Sequence, residues 1–150
     1  MDAAEELIAV EQIKQLKARY FRCMDTKDWD GYAQVFAPDA VLDVSGESRV
    51  PDDEGIIRGN TTIAEYVRSQ VDPVRTVHHG HMPEIQITSD TTATGIWSME
   101  DMLRWPDDAP LGDMHGYGHY HETYEKVDGQ WRIASCKLTR LRVDFDPELS

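Results

Sequence analysis

Asp25, three closely spaced histidines and an acid–arginine pair are the residues here whose types and positions could move protons. Asp25 ends a long helical pattern, where the helix dipole disfavours an anion by up to about 1 kcal/mol, so solvent or a specific donor must compensate it. A carboxylate that accepts from an imidazole N–H fixes the tautomer and raises the basicity of the other nitrogen, which is the arrangement of a general acid–base catalyst. His78, His79 and His81 offer imidazoles at the start of one strand-like segment, and His119 with His121 on another. Alternation puts His79 with His81 on one strand face and His119 with His121 on one face of theirs. Two such pairs plus Glu84 also have the residue types of a metal site. The step from His81 to Glu84 is shorter than in cupins, and no metal is assigned.

Two further stripes end in charge. Ala93, Gly95, Trp97, Met99 and Asp101 share one face of a strand, and Ala134, Cys136, Leu138 and Arg140 share one face of another. An apolar stripe that finishes on an acid, facing one that finishes on a base, predicts that both charges enter one cavity, because unpaired buried ions are too costly. A purely structural ion pair would fit the same pattern. Trp97, Met99 and Leu138, together with His81 and His119, are the expected substrate-contacting residues. Tyr20 shares a helix face with Leu16 and Met24, where its hydroxyl could hydrogen-bond a developing oxyanion. Nucleophile-elbow, P-loop and dinucleotide motifs are all missing from the sequence, so covalent and cofactor chemistry lack support.

The elements that must position these residues come in two blocks. Leu7, Val10, Ile13, Leu16, Tyr20 and Met24 predict a helix from about Glu5 to Asp25. A short second helix runs from an Asp28 cap through Trp29, Tyr32 and Phe36 to Pro38. A strand over Val41–Ser45, a loop over Gly46–Gly55 and a third helix with a Thr62/Glu65 capping box, ending near Val71, follow. From Thr76 the chain turns β-branched and aromatic. Four long strands are expected, the first through Ile85 and Ile87, then Thr92–Leu103, Gly116–Val127 and Trp131–Phe145. Asp128-Gly129 should turn the last pair and Ser89-Asp90 the first. The Pro106–Asp113 stretch reads as a loop that could cover one end of a pocket. Helices first and hairpin strands afterwards describe one α+β domain spanning 1–150, with helices on one face of a mostly antiparallel sheet and a cavity at its open end.

A formal net charge of −13 over 150 residues argues against nucleic acid or anionic membrane as a partner. Cys23 and Cys136 match no zinc or redox spacing and suit a reducing compartment. The acidic start and the shortness of every apolar run suggest a cytoplasmic protein.

Taken together, several stretches resemble a known family: Leu16 to Asp25 with Trp29-Asp30, His78 to Ile85, Thr91 to Trp97, Glu100-Asp101 and Tyr124 to Gln130. The chain is similar to SnoaL-like members of the nuclear transport factor 2-like superfamily, near the scytalone dehydratases and especially the bacterial bile acid 7α-dehydratases. The resemblance implies a cone-shaped α+β barrel with three N-terminal helices on a strongly curved sheet, usually a homotrimer, with a cofactor-free site for a small hydrophobic substrate. It places a catalytic tyrosine on Tyr20, an acid–base dyad on Asp25 and His78, a second acid on Asp101 and an arginine on Arg140. A further active-site tyrosine of the bile acid enzymes would fall at Val44, which puts the substrate in question more than the chemistry. The implied reaction is elimination of water from a hydroxylated, carbonyl-bearing molecule. A double-bond isomerase or a dehydrohalogenase would use the same pocket, and a non-catalytic binding module or a dioxygenase small subunit would use the same fold. Unbroken alternation would turn His78 away from the side of His79, Ile85 and Ile87. Either that other side faces the pocket or a bulge near Gly80 resets the register.

Overall fold

Asp2 caps the first helix, α1 (Ala3–Asp25), by accepting the Glu5 N–H while the Glu5 carboxylate accepts the Asp2 N–H. This reciprocal box starts the helix two residues before Glu5. The computed structural model describes residues 1–46 and 55–146. The buried stripe of α1 is Ala9, Ile13, Leu16, Lys17, Tyr20, Cys23 and Met24. Leu7, expected on that stripe, is 71% exposed, because the step from Leu7 to Ile13 turns the helix by roughly 240°.

The second helix, α2 (Trp29–Gln34), begins at the Asp28 cap, whose carboxylate accepts from the Gly31 N–H at 3.0 Å. It stops before Phe36, which instead opens strand β1 (Phe36–Asp43). Pro38 disfavours helix at the residue before it, and its missing N–H falls within the register shift between Phe36 and Val41. The strand expected over Val41–Ser45 is therefore longer at its start and ends at Asp43. Strand β2 (Ile56–Arg58) pairs antiparallel with β1 and is too short for its periodicity to show. Of the expected Gly46–Gly55 loop, residues 47–54 lie outside the described residues. Helix α3 (Asn60–Val71) starts from Gly59 with no side-chain cap, so Thr62 and Glu65 form no capping box there.

The remaining strands are β3 (Arg75–Ile87), β4 (Thr92–Arg104), β5 (Asp113–Val127) and β6 (Gln130–Phe145). Asp128 (φ 52) and Gly129 (φ 80) both take positive φ between β5 and β6, as a primed hairpin turn requires. The sheet order is β2-β1-β6-β5-β4-β3, and among the described residues only the β1–β6 pair is parallel. The result is an α+β fold, with helices packed on a curved, mostly antiparallel sheet. No described helix is long and apolar enough to cross a membrane.

Three further register shifts, besides the one in β1, set which side chains face the helices. Between Gly80 and Pro83 an irregularity in β3 returns the strand to phase, so Thr76 and His78 before it, and Ile85 and Ile87 after it, all point inward. In β6 a shift opposite Thr123/Tyr124 leaves Ala134 without a partner. The inward stripe there is Trp131, Ile133, Cys136 and Leu138, so Ala134 drops out of the expected set. A third shift, opposite Tyr117/Gly118, leaves Leu141 unpartnered and 75% exposed.

One buried polar chain runs through the core. Trp97 Nε1 donates to the Tyr124 hydroxyl at 2.8 Å, Tyr124 donates to Glu122 at 2.7 Å, and Lys17 Nζ reaches the other Glu122 oxygen at 2.7 Å. Lys17 and Glu122 side chains are both 0% exposed. Their charges are tolerable because each is paired and further solvated, Lys17 lying 3.6 Å and 3.7 Å from the ring centres of Tyr20 and Tyr120.

Candidate active site

Asp25, at the last turn of α1, is met by three donors from the start of β3. Its Oδ1 accepts from the Thr76 hydroxyl at 2.9 Å and from His78 Nδ1 at 2.7 Å, and its Oδ2 accepts from the His78 backbone N–H at 2.9 Å. These bonds compensate the unfavourable helix terminus. A carboxylate can only accept, so Nδ1 carries the proton and the neutral ring has a bare Nε2. Phe21 lies parallel to the imidazole, with ring centres 6.4 Å apart, and His78 is 8% exposed.

His78 and Asp101 are direct partners across β3 and β4. Nε2 stands 3.8 Å from Asp101 Oδ2, beyond hydrogen-bond reach. Asp101 instead takes a two-pronged bond from Arg140, at 2.7 Å and 3.0 Å. Gly116 makes this possible: it pairs with Asp101 on β5, and a Cβ there would overlap both Arg140 Nη1 and Asp101 Oδ1.

Tyr20, His78, Asp101, Arg140 and Leu138 all line one cavity of about 320 Å³. Asp25 stands behind His78 rather than on the wall. Much of the remaining lining is apolar, including Met24, Leu42, Val44, Leu103, Trp105 and Val143. Trp105 and Leu111, from the β4–β5 connection, are also on the wall, and of these Leu111 belongs to the Pro106–Asp113 stretch read as a loop. Tyr66 also lines the cavity, and two buried lining phenols, Tyr32 and Tyr120, likewise carried no expected role. The α2 stripe and the Gly116-Gly118-Tyr120 alternation on β5 hold the signal for them. Burial, followed by the neighbouring Tyr120 and Tyr32, holds the Tyr20 hydroxyl far above its usual pKa. Burial raises Tyr32 and Tyr120 in the same direction. All three therefore stay protonated donors, and the Tyr32 hydroxyl has no hydrogen-bond partner among the described residues.

Four residues expected at the substrate lie elsewhere. Trp97 and Met99 are buried but off the cavity wall, the Trp97 N–H bonded to Tyr124 and the Met99 sulfur 3.9 Å from Arg140 Nη1. His81 and His119 occupy the outer sheet face because Gly80 and Tyr120 beside them point inward. There His81 and His115 bond the Glu100 carboxylate at 3.1 Å and 2.8 Å, and His121 bonds Thr139. The described residues contain no group of three or more His, Cys, Asp or Glu arranged to hold a metal ion.

A family model described as a SnoaL-like domain matches residues 5–137. The chain belongs to this SnoaL-like family. Among similar proteins is the probable cyclase FGR4 of Gibberella zeae, 25% identical over 151 residues covering 94% of this chain and 95% of that one. A candidate scytalone dehydratase from Novosphingobium aromaticivorans superposes with a TM-score of 0.83 at 20% identity, covering 97% of this SnoaL-like chain and 92% of its own. The hexachlorocyclohexane dehydrochlorinase LinA-type3 from Novosphingobium barchaimii gives 0.82 at 17% identity, covering 97% and 95%. At these identities both structures speak to the fold alone.

Proposed function

We propose that this SnoaL-like protein is a cofactor-independent lyase, a dehydratase that removes water from a hydroxylated, carbonyl-bearing hydrophobic substrate. The observation that carries the reading is the bare Nε2 of His78 turned toward a largely apolar cavity while Nδ1 is bonded to Asp25. Nε2 takes the proton from the carbon next to the carbonyl, and the C–H electron pair moves toward the carbonyl oxygen. Tyr20, a protonated donor at the same wall, stabilises that oxygen as charge develops. The imidazolium, balanced by Asp25, then gives its proton to the departing hydroxyl as the C–O bond breaks and the C=C bond forms. Asp101 and Arg140 orient the polar end of the substrate. General acid–base assistance of this kind contributes about a hundred- to ten-thousand-fold.

A cavity of about 320 Å³ stands near the lower end of ordinary ligand pockets. It suits a compact ring compound of steroid, polyketide or aromatic type. Both cysteines are free and buried, which supports a cytoplasmic setting for a chain that forms one domain. Dehydrohalogenation or a double-bond shift would begin with the same proton abstraction. Mass analysis of products from a panel of β-hydroxy ketones separates them. Loss of water supports the proposal, and an isomer of unchanged mass, or no turnover of hydroxy ketones beside loss of halide from halogenated rings, contradicts it.

A further inference from the structure

A second recess, about 620 Å³, opens between α1, α2 and the start of β6 and shares no lining residue with the catalytic cavity. Arg19 and Arg22 of α1 and Arg132 of β6 all line it, with Gln12, Gln15 and Gln34 among its walls. In a chain of formal charge −13, these three guanidiniums meet a single lining carboxylate, Asp28. That carboxylate is committed, since Oδ1 accepts the Gly31 N–H at 3.0 Å and Oδ2 lies 3.9 Å from the Cys23 thiol. Arg19 and Arg22 form no ion pair with any described residue.

Two N–H groups at the same recess are buried without an acceptor. Trp131 is 5% exposed, and neither its Nε1 nor Arg132 Nε has a hydrogen-bond partner among the described residues. Arg132 is held in place by Nη1 donating to the Gln34 side chain at 3.2 Å. Lys126, which is not on the recess wall, lies 5.5 Å from the Trp131 ring centre. Buried donors in native proteins find partners. Water could accept from either N–H, but it carries no charge to set against the guanidiniums.

We propose that this recess binds a compact, multiply charged oxyanion of phosphate or polycarboxylate type. Such a group offers acceptors only, matches the planar fork of arginine and supplies the missing negative charge. The proposal is independent of the lyase reading.

Calorimetric titration of the intact protein with sodium pyrophosphate, and separately with sodium citrate, tests it against sodium chloride at matched ionic strength. The expected result is saturable one-to-one binding of at least one oxyanion. Pyrophosphate alone marks a phosphate ligand and citrate alone a carboxylate. Arg19→Gln and Arg132→Gln, with folding confirmed by circular dichroism, should each weaken that binding about tenfold or more. The proposal fails if neither oxyanion binds beyond the chloride control, or if either variant keeps the parent affinity.

Discussion

His78 makes two hydrogen bonds to one carboxylate. The side chain and the backbone N–H of the same residue both end on Asp25, so ring position and tautomer are set together. Replacing Asp25 by Asn substitutes an amide that can donate to Nδ1, which moves the ring proton to Nε2 and removes the base from the cavity. Asp25→Asn should therefore lower kcat by about a hundredfold or more while leaving KM within a few-fold. Steady-state kinetics that show parent kcat would contradict this. The positions of Asp101 and Arg140 were readable from strand alternation, because each closes a buried stripe with a charge. Choosing His78 from three neighbouring histidines was not. That choice depends on an irregularity between Gly80 and Pro83, and sequence periodicity shows such a break only as a failure of its own pattern.

Among the elements, long periodic segments were legible and short or bulged ones were not. α1 and the four long strands announced themselves by spacing, and the β5–β6 turn by Asp128-Gly129. β2 has only three residues, and Phe36 passed for the end of a helix because an inward aromatic suits a helix or a strand equally. His81 and His119 were misplaced for a related reason: residue type suggested chemistry, but strand phase put them on the outer face. Gly116 shows an element serving the site through what it lacks, since its missing Cβ leaves room for the Asp101–Arg140 pair. Gly116→Ala should separate that pair, and leaving buried charges unpaired costs about 3 kcal/mol or more. Gly112→Ala, where a Cβ meets only Asp146 at 3.6 Å, should be tolerated. Thermal unfolding of the two variants gives the comparison, and equal melting temperatures would rule out the packing argument.

For the whole molecule, the sheet has one face against the helices and another that carries Val77, Ile96 and Leu141, exposed by 45%, 75% and 38% for Val77, Leu141 and Ile96 respectively. Exposed aliphatic residues on a sheet face of an otherwise strongly acidic chain favour contact between subunits. The homotrimer implied by the family resemblance is therefore proposed for this protein. Light scattering on the purified chain should return three times the 17.1 kDa monomer mass, and a monomer mass at micromolar concentration would exclude it. The central claim, however, concerns one nitrogen in one cavity. The most direct test is kcat/KM of His78→Ala on a substrate that the parent protein dehydrates. The account predicts a fall of about a hundred- to ten-thousand-fold with the fold intact, and a variant that keeps the parent rate would contradict it.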